Sequence, residues 1–236
     1  MSSGVSLIVP VLDDTAAVSV LLERVAAWPR APREIVIVSG ARDAELARLC
    51  AAHGCQLIET AANRGAQLDR GAAAASSPLL WFVHADTQPP ELALAAIEQA
   101  VATGAESGCF RFDFQGPPQW RKSLLARLVA LRIHMGGMPY GDQSLFVLRD
   151  VYAQCGGFAH QPLFEEVELV RRLRHRGTFR ALPGRIRVST RRWERDGWWS
   201  RSCHNRWLAL CHMLGVPAQR LAGAYSRPRT RTDIEP

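Results

Sequence analysis

Short, continuously apolar runs alternate along the first half of the chain with segments whose apolar residues recur at helical spacing. The apolar runs predict strands over residues 6–11, 34–39, 55–59 and 79–84. The periodic segments predict helices over residues 15–28, 43–53, 64–75 and 89–101. A strand that is apolar along its whole length is buried on both faces, as in a parallel sheet covered by helices. The pattern therefore predicts an α/β fold with a Rossmann-like, mostly parallel sheet and helices on both faces.

The second half of the chain is less regular. Its patterns predict strands over residues 109–114 and 144–148, and helices over residues 122–135, 165–175 and 198–214. The last helix is amphipathic, with an apolar face formed by Trp199, Cys203, Trp207, Leu210, Cys211 and Leu214. Because no linker or repeat interrupts the chain, we expect a single domain with a helical C-terminal extension. Its parts are residues 1–104, 105–196 and 197–224, followed by a polar tail over 225–236.

Composition narrows the class of protein. Of the 236 residues, 47% are hydrophobic and 22% are charged, which excludes an intrinsically disordered chain. No apolar run approaches the roughly 20 residues that cross a bilayer, and the first residues lack the features of a signal peptide. The six cysteines form no C-x-x-C pair, so we expect free, buried thiols in a reducing compartment. These features predict a cytoplasmic protein.

Charge is distributed unevenly along the chain. Residues 1–170 hold 13 Arg and Lys against 18 Asp and Glu, whereas residues 171–236 hold 16 Arg against 4 acids. A basic C-terminal region favours an anionic partner, such as a diphosphate, an anionic lipid or a nucleic acid. Membrane contact, packing onto the core and a homodimer contact all require the apolar face of the last helix, so the three remain open.

Ligands of open α/β sheets bind beyond the carboxyl ends of the strands, so the residues that follow each strand are the first candidates. No G-x-G-x-x-G and no G-x-x-x-x-G-K-[ST] motif is present, which argues against dinucleotide enzymes and P-loop NTPases. His84-Ala85-Asp86 ends the strand predicted over 79–84. At this strand end, the Asp86 carboxylate could bind a Mg²⁺ or Mn²⁺ ion that neutralises a diphosphate. The alternative is that Asp86 caps the helix that follows.

A cluster of acids begins the helix predicted over 165–175. Glu165, Glu166 and Glu168 lie within four residues, where a helix N-terminus favours negative charge. Mutual repulsion raises the pKa of at least one of them, which suits a general base. Helix capping and catalysis both explain this cluster.

In chain order, the motifs resemble those of the family-2 glycosyltransferases, which have the GT-A fold. The matching segments are Ile8-Val9-Pro10 with Asp13 and Asp14, Val38 to Arg42, His84 to Asp86, Gly156 to Phe158, Glu165-Glu166 and Arg192-Trp193. Residues 84–87, 139–143 and 191–194 are also similar to a small bacterial subgroup associated with radical-SAM and arsenosugar genes. Three positions depart from the family pattern: Ser39, His84 and Glu166 each stand where relatives carry aspartate.

The resemblance implies an inverting transfer of a sugar from a nucleotide-diphospho-sugar to an acceptor hydroxyl, assisted by Mn²⁺ or Mg²⁺ on Asp86. Residues 1–104 would be the nucleotide-binding half and residues 105–196 the acceptor half. The implied catalytic residues are Glu166, as the base, and Glu165. The implied donor-binding residues are Pro10, Asp13, Ser39, Arg64, Gln67, Asp69, His84, Asp86 and Arg192. The acceptor-binding candidates are Gly141, Asp142, Gln143 and Trp193, although the first three also suit a plain turn and Trp193 a core position.

Two other classes of protein remain as alternatives. A nucleotidyltransferase also uses a Rossmann-like sheet with metal-bound acids, but residues 11–15 lack the usual basic glycine-rich loop. A basic protein that binds nucleic acid or membrane through residues 171–236 is the second alternative. For the transferase we expect no nucleic-acid partner. Its acceptor is undetermined; a lipid-linked acceptor would suit an enzyme at the inner face of the membrane.

Overall fold

The computed structural model describes residues 4–226. The first half of this range alternates strands and helices: β1 (Val5–Val11), α1 (Thr15–Ala26), β2 (Glu34–Ser39), α2 (Ala44–Ala52), β3 (Gln56–Glu59), α3 (Arg64–Ala74), β4 (Leu79–Phe82), β5 (Thr87–Gln88) and α4 (Ala93–Ala102). The predicted strands and helices of this half are confirmed, apart from their end residues and the short strand β5. Side chains cap three of these helices, because Asp14, Asp43 and Asn63 each accept backbone N–H groups of the first turn.

The second half contains more elements than its sequence pattern predicts. They are β6 (Ser107–Phe114), α5 (Trp120–His134), a 3₁₀ turn (Gly141–Gln143), β7 (Phe146–Leu148), α6 (Arg149–Gln154), α7 (Val167–His175), β8 (Phe179–Val188), α8 (Arg191–Asp196), α9 (Trp198–Met213) and α10 (Ala218–Ser226). Strand β8 and helices α6, α8 and α10 were not predicted. Strand β8 contains Pro183 and Gly184 and several exposed arginines, so it lacks the apolar run typical of a buried strand.

One sheet joins all eight strands in the order β3-β2-β1-β4-β7-β6-β8-β5. Parallel pairing joins β3 to β2, β2 to β1, β1 to β4 and β6 to β8. Strand β7 runs antiparallel between β4 and β6, and β5 is antiparallel to β8. The predicted mostly parallel sheet is therefore confirmed. The carboxyl ends of β1, β2 and β4 share one edge, where polar residues of different segments meet.

Hydrophobic residues fill both faces of the sheet. Alternate residues of a strand point to opposite faces, so Leu7 and Val9 join one core while Ile8 joins the other. The first core is covered by α1, α2, α4 and α5, and the second by α3, α6 and α7. Burying one large apolar side chain contributes roughly 1.5–3 kcal/mol, which makes these two cores the main stabilising term of the fold.

The C-terminal helices pack on the segment that precedes α7. Leu208 of α9 and Leu221 of α10 form a third buried cluster with Leu163 and Phe164. Tyr225 and Ser226, predicted to begin a polar tail, belong instead to α10, because the Tyr225 ring stacks on the guanidinium groups of Arg192 and Arg201. The rest of that predicted tail, residues 227–236, lies outside the described residues.

Two sequence-based expectations concern cysteines and membrane spans. All six cysteines are free thiols, but the prediction that they are buried holds only for Cys50, Cys109 and Cys155. Cys203 is exposed because it lies on the outer face of α9. Within residues 4–226, none of the helices combines the length and the apolar character that a bilayer-spanning segment requires.

Candidate active site

A cavity of about 480 Å³ opens beyond the carboxyl ends of β1 and β4. It brings together eight of the residues predicted from the sequence: Arg64, His84, Asp86, Gly141, Asp142, Glu166, Arg192 and Trp193. A larger groove of about 690 Å³ lies between α5 and strands β6 and β8, but no carboxylate lines it. The carboxylates predicted to act in acid–base chemistry therefore line the smaller cavity.

Glu166 lies in the wall of this cavity, and only 4% of its surface is exposed to solvent. Its Oε1 accepts a hydrogen bond of 2.9 Å from the backbone N–H of Gly141, while its buried Oε2 has no hydrogen-bond partner within residues 4–226. Burial raises the pKa of Glu166 well above its usual range, and the neighbouring Glu165 raises it further. A carboxylate with one oxygen free and a raised pKa is suited to accept a proton.

The backbone before Glu166 turns sharply. Phe164 has a φ of 59°, a left-handed conformation that is uncommon for an aromatic residue. This turn places Glu165 and Glu166 in the interior just before α7 begins at Val167. Strained backbone of this kind costs about 1–3 kcal/mol and is concentrated at functional sites.

Glu165 is fully buried and makes a two-point ion pair with Arg64 at the start of α3. The second contact of this pair, between Arg64 Nη2 and Glu165 Oε2, is 3.1 Å long. Burial opposes the charge of Arg64, but the adjacent Glu165 outweighs it and raises the pKa of the guanidinium. The two adjacent glutamates therefore differ: Glu165 is neutralised by a cation, whereas Glu166 is not.

His84 stands where the family pattern has the first aspartate of D-x-D. Burial, and after it the positive charge of Arg64, lowers its pKa to about 3. The imidazole is therefore neutral at physiological pH. A Cβ added to Gly141 would lie 2.9 Å from His84 Nε2, so only glycine allows this close approach of the 3₁₀ turn.

Asp86 and Asp142 line the cavity together. Burial raises the pKa of Asp142 to about 6, with Arg132 and Arg64 opposing the shift and Asp86 adding to it. The described residues contain no group of three or more His, Cys, Asp and Glu side chains arranged to hold a metal ion. A cation at this edge would therefore need ligands from a bound molecule or water in addition to Asp86 and Asp142.

Arginines of the C-terminal half form the basic side of the cavity. Arg191 Nη2 lies 2.7 Å from Asp14 Oδ2, and Arg195 Nε lies 2.6 Å from Asp196 Oδ1. Arg192 instead donates to the hydroxyl of Tyr225 and packs its guanidinium over that ring. Arg192 therefore keeps its positive charge without a carboxylate partner among its described contacts, which suits an anionic ligand.

Several residues predicted to contact ligands lie elsewhere and support the scaffold. Gln67 Nε2 donates to the carbonyls of Val11 (2.7 Å) and Val38 (2.8 Å), which ties the ends of β1 and β2 to α3. Ser39 Oγ is buried and donates to the carbonyl of Ala41. Gln143 is buried too, and its Nε2 donates to the carbonyl of Phe110 at 3.1 Å.

Three further donor-binding predictions fall outside the cavity wall. Asp69 accepts a hydrogen bond from Tyr152 and contacts His160 Nε2 at 3.0 Å. Pro10 pairs with Val38 within the sheet, and Asp13 is exposed in the loop between β1 and α1. A ligand role for these residues stays a prediction.

Sequence reasoning gave no ligand-binding or catalytic role to part of the cavity wall, including Asp14, Tyr140, Arg191, Arg195, Asn205 and Tyr225. Asp14, Tyr140 and Arg191 lie within motifs that the sequence analysis quoted, and Arg195 directly follows one of them. Asn205 and Tyr225 belong to α9 and α10 and are near no motif. Only the packing of the C-terminal helices brings them to the site.

Comparisons with known proteins agree with this architecture. Residues 6–168 match the family described as Glycosyl transferase family 2. None of the curated proteins gives a significant match in sequence. Among solved structures, the chain is similar to glucosyl-3-phosphoglycerate synthase from Mycobacterium tuberculosis in complex with Mn²⁺, UDP and glucosyl-3-phosphoglycerate. The TM-score is 0.63 and the identity 17%, over 91% of this chain and 81% of that one.

A second structure of that synthase, with Mn²⁺, UDP and phosphoglyceric acid, gives a TM-score of 0.63 at 18% identity over 91% of this chain and 80% of that one. At such low identity these likenesses establish the fold alone, and they confirm the predicted GT-A architecture. The family match spans more than half of the chain and includes β1, Asp86 and the Glu165-Glu166 pair. The chain is therefore a member of glycosyl transferase family 2.

Proposed function

We propose that this protein transfers a sugar from a nucleotide-diphospho-sugar to an acceptor hydroxyl, with inversion at the anomeric carbon. The observation that carries the proposal is the Glu166 carboxylate, which is buried in the wall of the cavity that Asp86 and Arg192 also line. A base and a site for an anionic leaving group are the two things that such a transfer needs.

The acceptor side of the reaction depends on Glu166. The acceptor hydroxyl oxygen attacks the anomeric carbon and forms the new glycosidic bond, while Glu166 Oε2 takes the hydroxyl proton. The bond from the anomeric carbon to the diphosphate oxygen breaks, and the electron pair leaves with the nucleoside diphosphate. Glu165 is held by Arg64, which leaves Glu166 as the one member of the pair with a free oxygen. Because the acceptor oxygen attacks directly and Glu166 acts as a base and not as a nucleophile, the reaction is a single displacement, which inverts the anomeric centre.

The leaving-group side depends on positive charge. Arg192 contacts no carboxylate among the described residues and faces the cavity, so its guanidinium suits a phosphate oxygen. Asp86, with Asp142 beside it, offers oxygen ligands of the kind that Mn²⁺ and Mg²⁺ prefer, and diphosphate oxygens and water would complete the coordination. When bound, the cation would neutralise the charge that develops on the diphosphate.

The donor and its nucleotide are part of this proposal. The synthase from M. tuberculosis has been crystallised with Mn²⁺ and UDP-glucose, and UDP-sugars are therefore the first donors to test. The resemblance to the radical-SAM- and arsenosugar-associated subgroup remains a prediction. A screen of nucleotide-sugar donors also addresses it.

The test measures donor turnover and donor binding separately. Release of nucleoside diphosphate from UDP-sugars would be followed with Mn²⁺ and with a panel of acceptor alcohols. We expect Glu166→Gln to lower turnover about 100-fold or more, because the amide cannot accept the proton, while calorimetry shows unchanged donor binding. Glu168→Gln is the matched control, since Glu168 lies in the first turn of α7, two residues after Glu166, but pairs with Arg171 at the surface.

The metal is tested through nucleotide binding. We expect Mn²⁺ to strengthen UDP binding to the wild type but not to Asp86→Asn, whereas Asp150→Asn on the exposed start of α6 retains the effect. Full turnover by Glu166→Gln would contradict the assignment of the base. Equal Mn²⁺ dependence in the Asp86→Asn variant would contradict the metal site.

A further inference from the structure

Helices α5 and α9 each expose a row of large apolar side chains. On α5 and its C-terminal cap the row is Trp120, Leu124, Leu128, Leu131 and Met135. On α9 and its cap the row is Trp199, Trp207, Leu210, Met213 and Leu214. Trp120 is 64% exposed and Trp207 is 61% exposed. Scattered single apolar residues are normal on a surface, but two continuous rows mark an interaction site.

The two rows follow the same spacing and begin at the same place. Successive members of the α5 row are four, four, three and four residues apart. The α9 row has the same spacing when the exposed Cys203 is counted with Trp199, Trp207, Leu210 and Leu214, and Met213 lies beside its last member. The rings of Trp120 and Trp199 are in contact, with centroids 6.0 Å apart. The two helices are also close farther along. Burial lowers the pKa of Arg132 of α5, and the nearby positive charge of Arg206 of α9 lowers this pKa as well. We call the two rows together the α5–α9 surface.

The α5–α9 surface lies in segments without acidic residues. Residues 114–141 contain four Arg and Lys and no Asp or Glu, and residues 197–226 contain three Arg and no Asp or Glu. Arg121, Arg127 and Arg206 are exposed beside the apolar rows. Exposed apolar residues bordered by cations, with tryptophans at the boundary, match the headgroup region of an anionic bilayer.

We propose that the α5–α9 surface docks onto an anionic lipid bilayer, with both helices lying in the plane of the interface. Charge decides between this occupant and a second copy of the chain. A symmetric dimer through the same surface would place one acid-free, arginine-bordered face against another, where the charges repel. Anionic lipid headgroups instead neutralise the arginines, while the tryptophan and leucine side chains enter the acyl boundary.

Docking through this surface would place the cavity beside the bilayer. Helix α9 exposes Trp207 and Leu210 on one side, while Asn205 and Leu208 on the same helix line the cavity wall. The distance between the lipid surface and the cavity is therefore about the width of one helix, roughly 10 Å.

The test is co-sedimentation of the full chain with vesicles at low salt. One set of vesicles contains phosphatidylglycerol and phosphatidylcholine in equal parts, and the other contains phosphatidylcholine alone. We expect binding to the mixed vesicles only. The double variant Leu128→Gln/Trp207→Gln is expected to lower the partition coefficient at least tenfold, because it removes apolar contact from both helices. Leu92→Gln is the matched control, since Leu92 is 67% exposed on another part of the surface.

A charge reversal tests the electrostatic part separately. Arg127→Glu is expected to weaken binding to the mixed vesicles about 25-fold, since a unit charge near an anionic surface contributes about fivefold and the reversal changes two. Arg48→Glu on α2 is expected to leave binding unchanged. The proposal is overturned if the wild type stays in the supernatant with mixed vesicles, or if the control variants bind as weakly as the α5–α9 variants. A dimer in sedimentation velocity that Trp207→Gln abolishes, without vesicle binding, would identify a protein interface instead.

Discussion

The two halves of the molecule bury different kinds of side chain. In residues 4–104, the buried polar residues are uncharged: Ser6, Ser39, Gln67, Ser77 and Thr87. In residues 105–226, the buried polar residues include five charged ones: Lys122, Glu165, Glu166, Asp196 and Arg201. Burying a charge costs several kcal/mol unless a partner compensates it. The first half is thus held mainly by apolar packing, and the second half carries most of the cost of buried charge, in which Glu165 and Glu166 are the members that belong to the active site.

The clearest link between the halves is the ion pair between Arg64 of α3 and the buried Glu165. We expect Arg64→Ala to lower the free energy of unfolding by about 3 kcal/mol, because it leaves Glu165 without its cation. Urea denaturation measures this loss. The double variant Arg64→Ala/Glu165→Gln is expected to recover at least half of it. A loss below about 1 kcal/mol for the single variant would show that Glu165 is compensated in another way.

The packing around two helical glycines, one in each half of the molecule, differs. A Cβ on Gly71 of α3 would lie 2.4 Å from Ile8 Cγ2 in the buried sheet, whereas a Cβ on Gly223 of α10 meets no atom within 4 Å. We expect Gly71→Ala to destabilise the protein by about 2 kcal/mol through overpacking. We expect Gly223→Ala to stabilise it by about 0.5–1 kcal/mol, because alanine favours a helix. Thermal unfolding would show shifts of opposite sign; shifts of the same sign would contradict this comparison.

The pH dependence of stability tests the electrostatic cost of Glu166. Its raised pKa means that the folded protein binds this proton more tightly than the unfolded chain. The resulting stabilisation is fully present below about pH 4.3, the usual glutamate pKa, and is lost as the pH rises toward the folded-state pKa. Glu166→Gln stays neutral, so at pH 8 we expect it to be more stable than the wild type by at least about 1 kcal/mol.

Denaturation curves at pH 4 and pH 8 measure this effect. The difference between wild type and Glu166→Gln is expected to shrink at pH 4, where both side chains are neutral. Glu168→Gln, on the surface of the same helix, is expected to show no such pH dependence. A constant difference at the two pH values would mean that Glu166 titrates as an ordinary surface carboxylate.

The sequence alone predicted most of the first half, for a local reason. The runs over residues 6–11, 34–39 and 79–84 are apolar throughout, and only a strand buried on both faces has that pattern. The ends of these strands also indicated His84 and Asp86 as site residues, because ligands of such sheets bind at the carboxyl ends of the strands. Strand β8 escaped prediction because it is half-exposed and interrupted by Pro183 and Gly184, so its alternation is weak.

Local pattern also indicated Glu165 and Glu166, and the family resemblance named Glu166 as the base, but neither gave a physical reason for the difference. Their roles differ because Arg64, about a hundred residues earlier, reaches Glu165, while Gly141 N–H reaches Glu166. Likewise, the motif containing Gln67 predicted a ligand contact, whereas the fold uses its amide to join Val11 and Val38. Hydrogen bonds between distant segments leave no periodic signal in the sequence.

The sequence by itself determined the fold class and the strand ends at which the site is built, since both follow from short patterns of apolar and polar residues. The family was indicated by the resemblance of its motifs, which are also short and local. Tertiary structure decided which of two adjacent glutamates is free, that Asn205 and Tyr225 join the cavity, and that α5 and α9 form one surface. Those outcomes depend on burial and on contacts between segments far apart in the chain. The free energy of a charge is set by such surroundings and not by its neighbours in sequence.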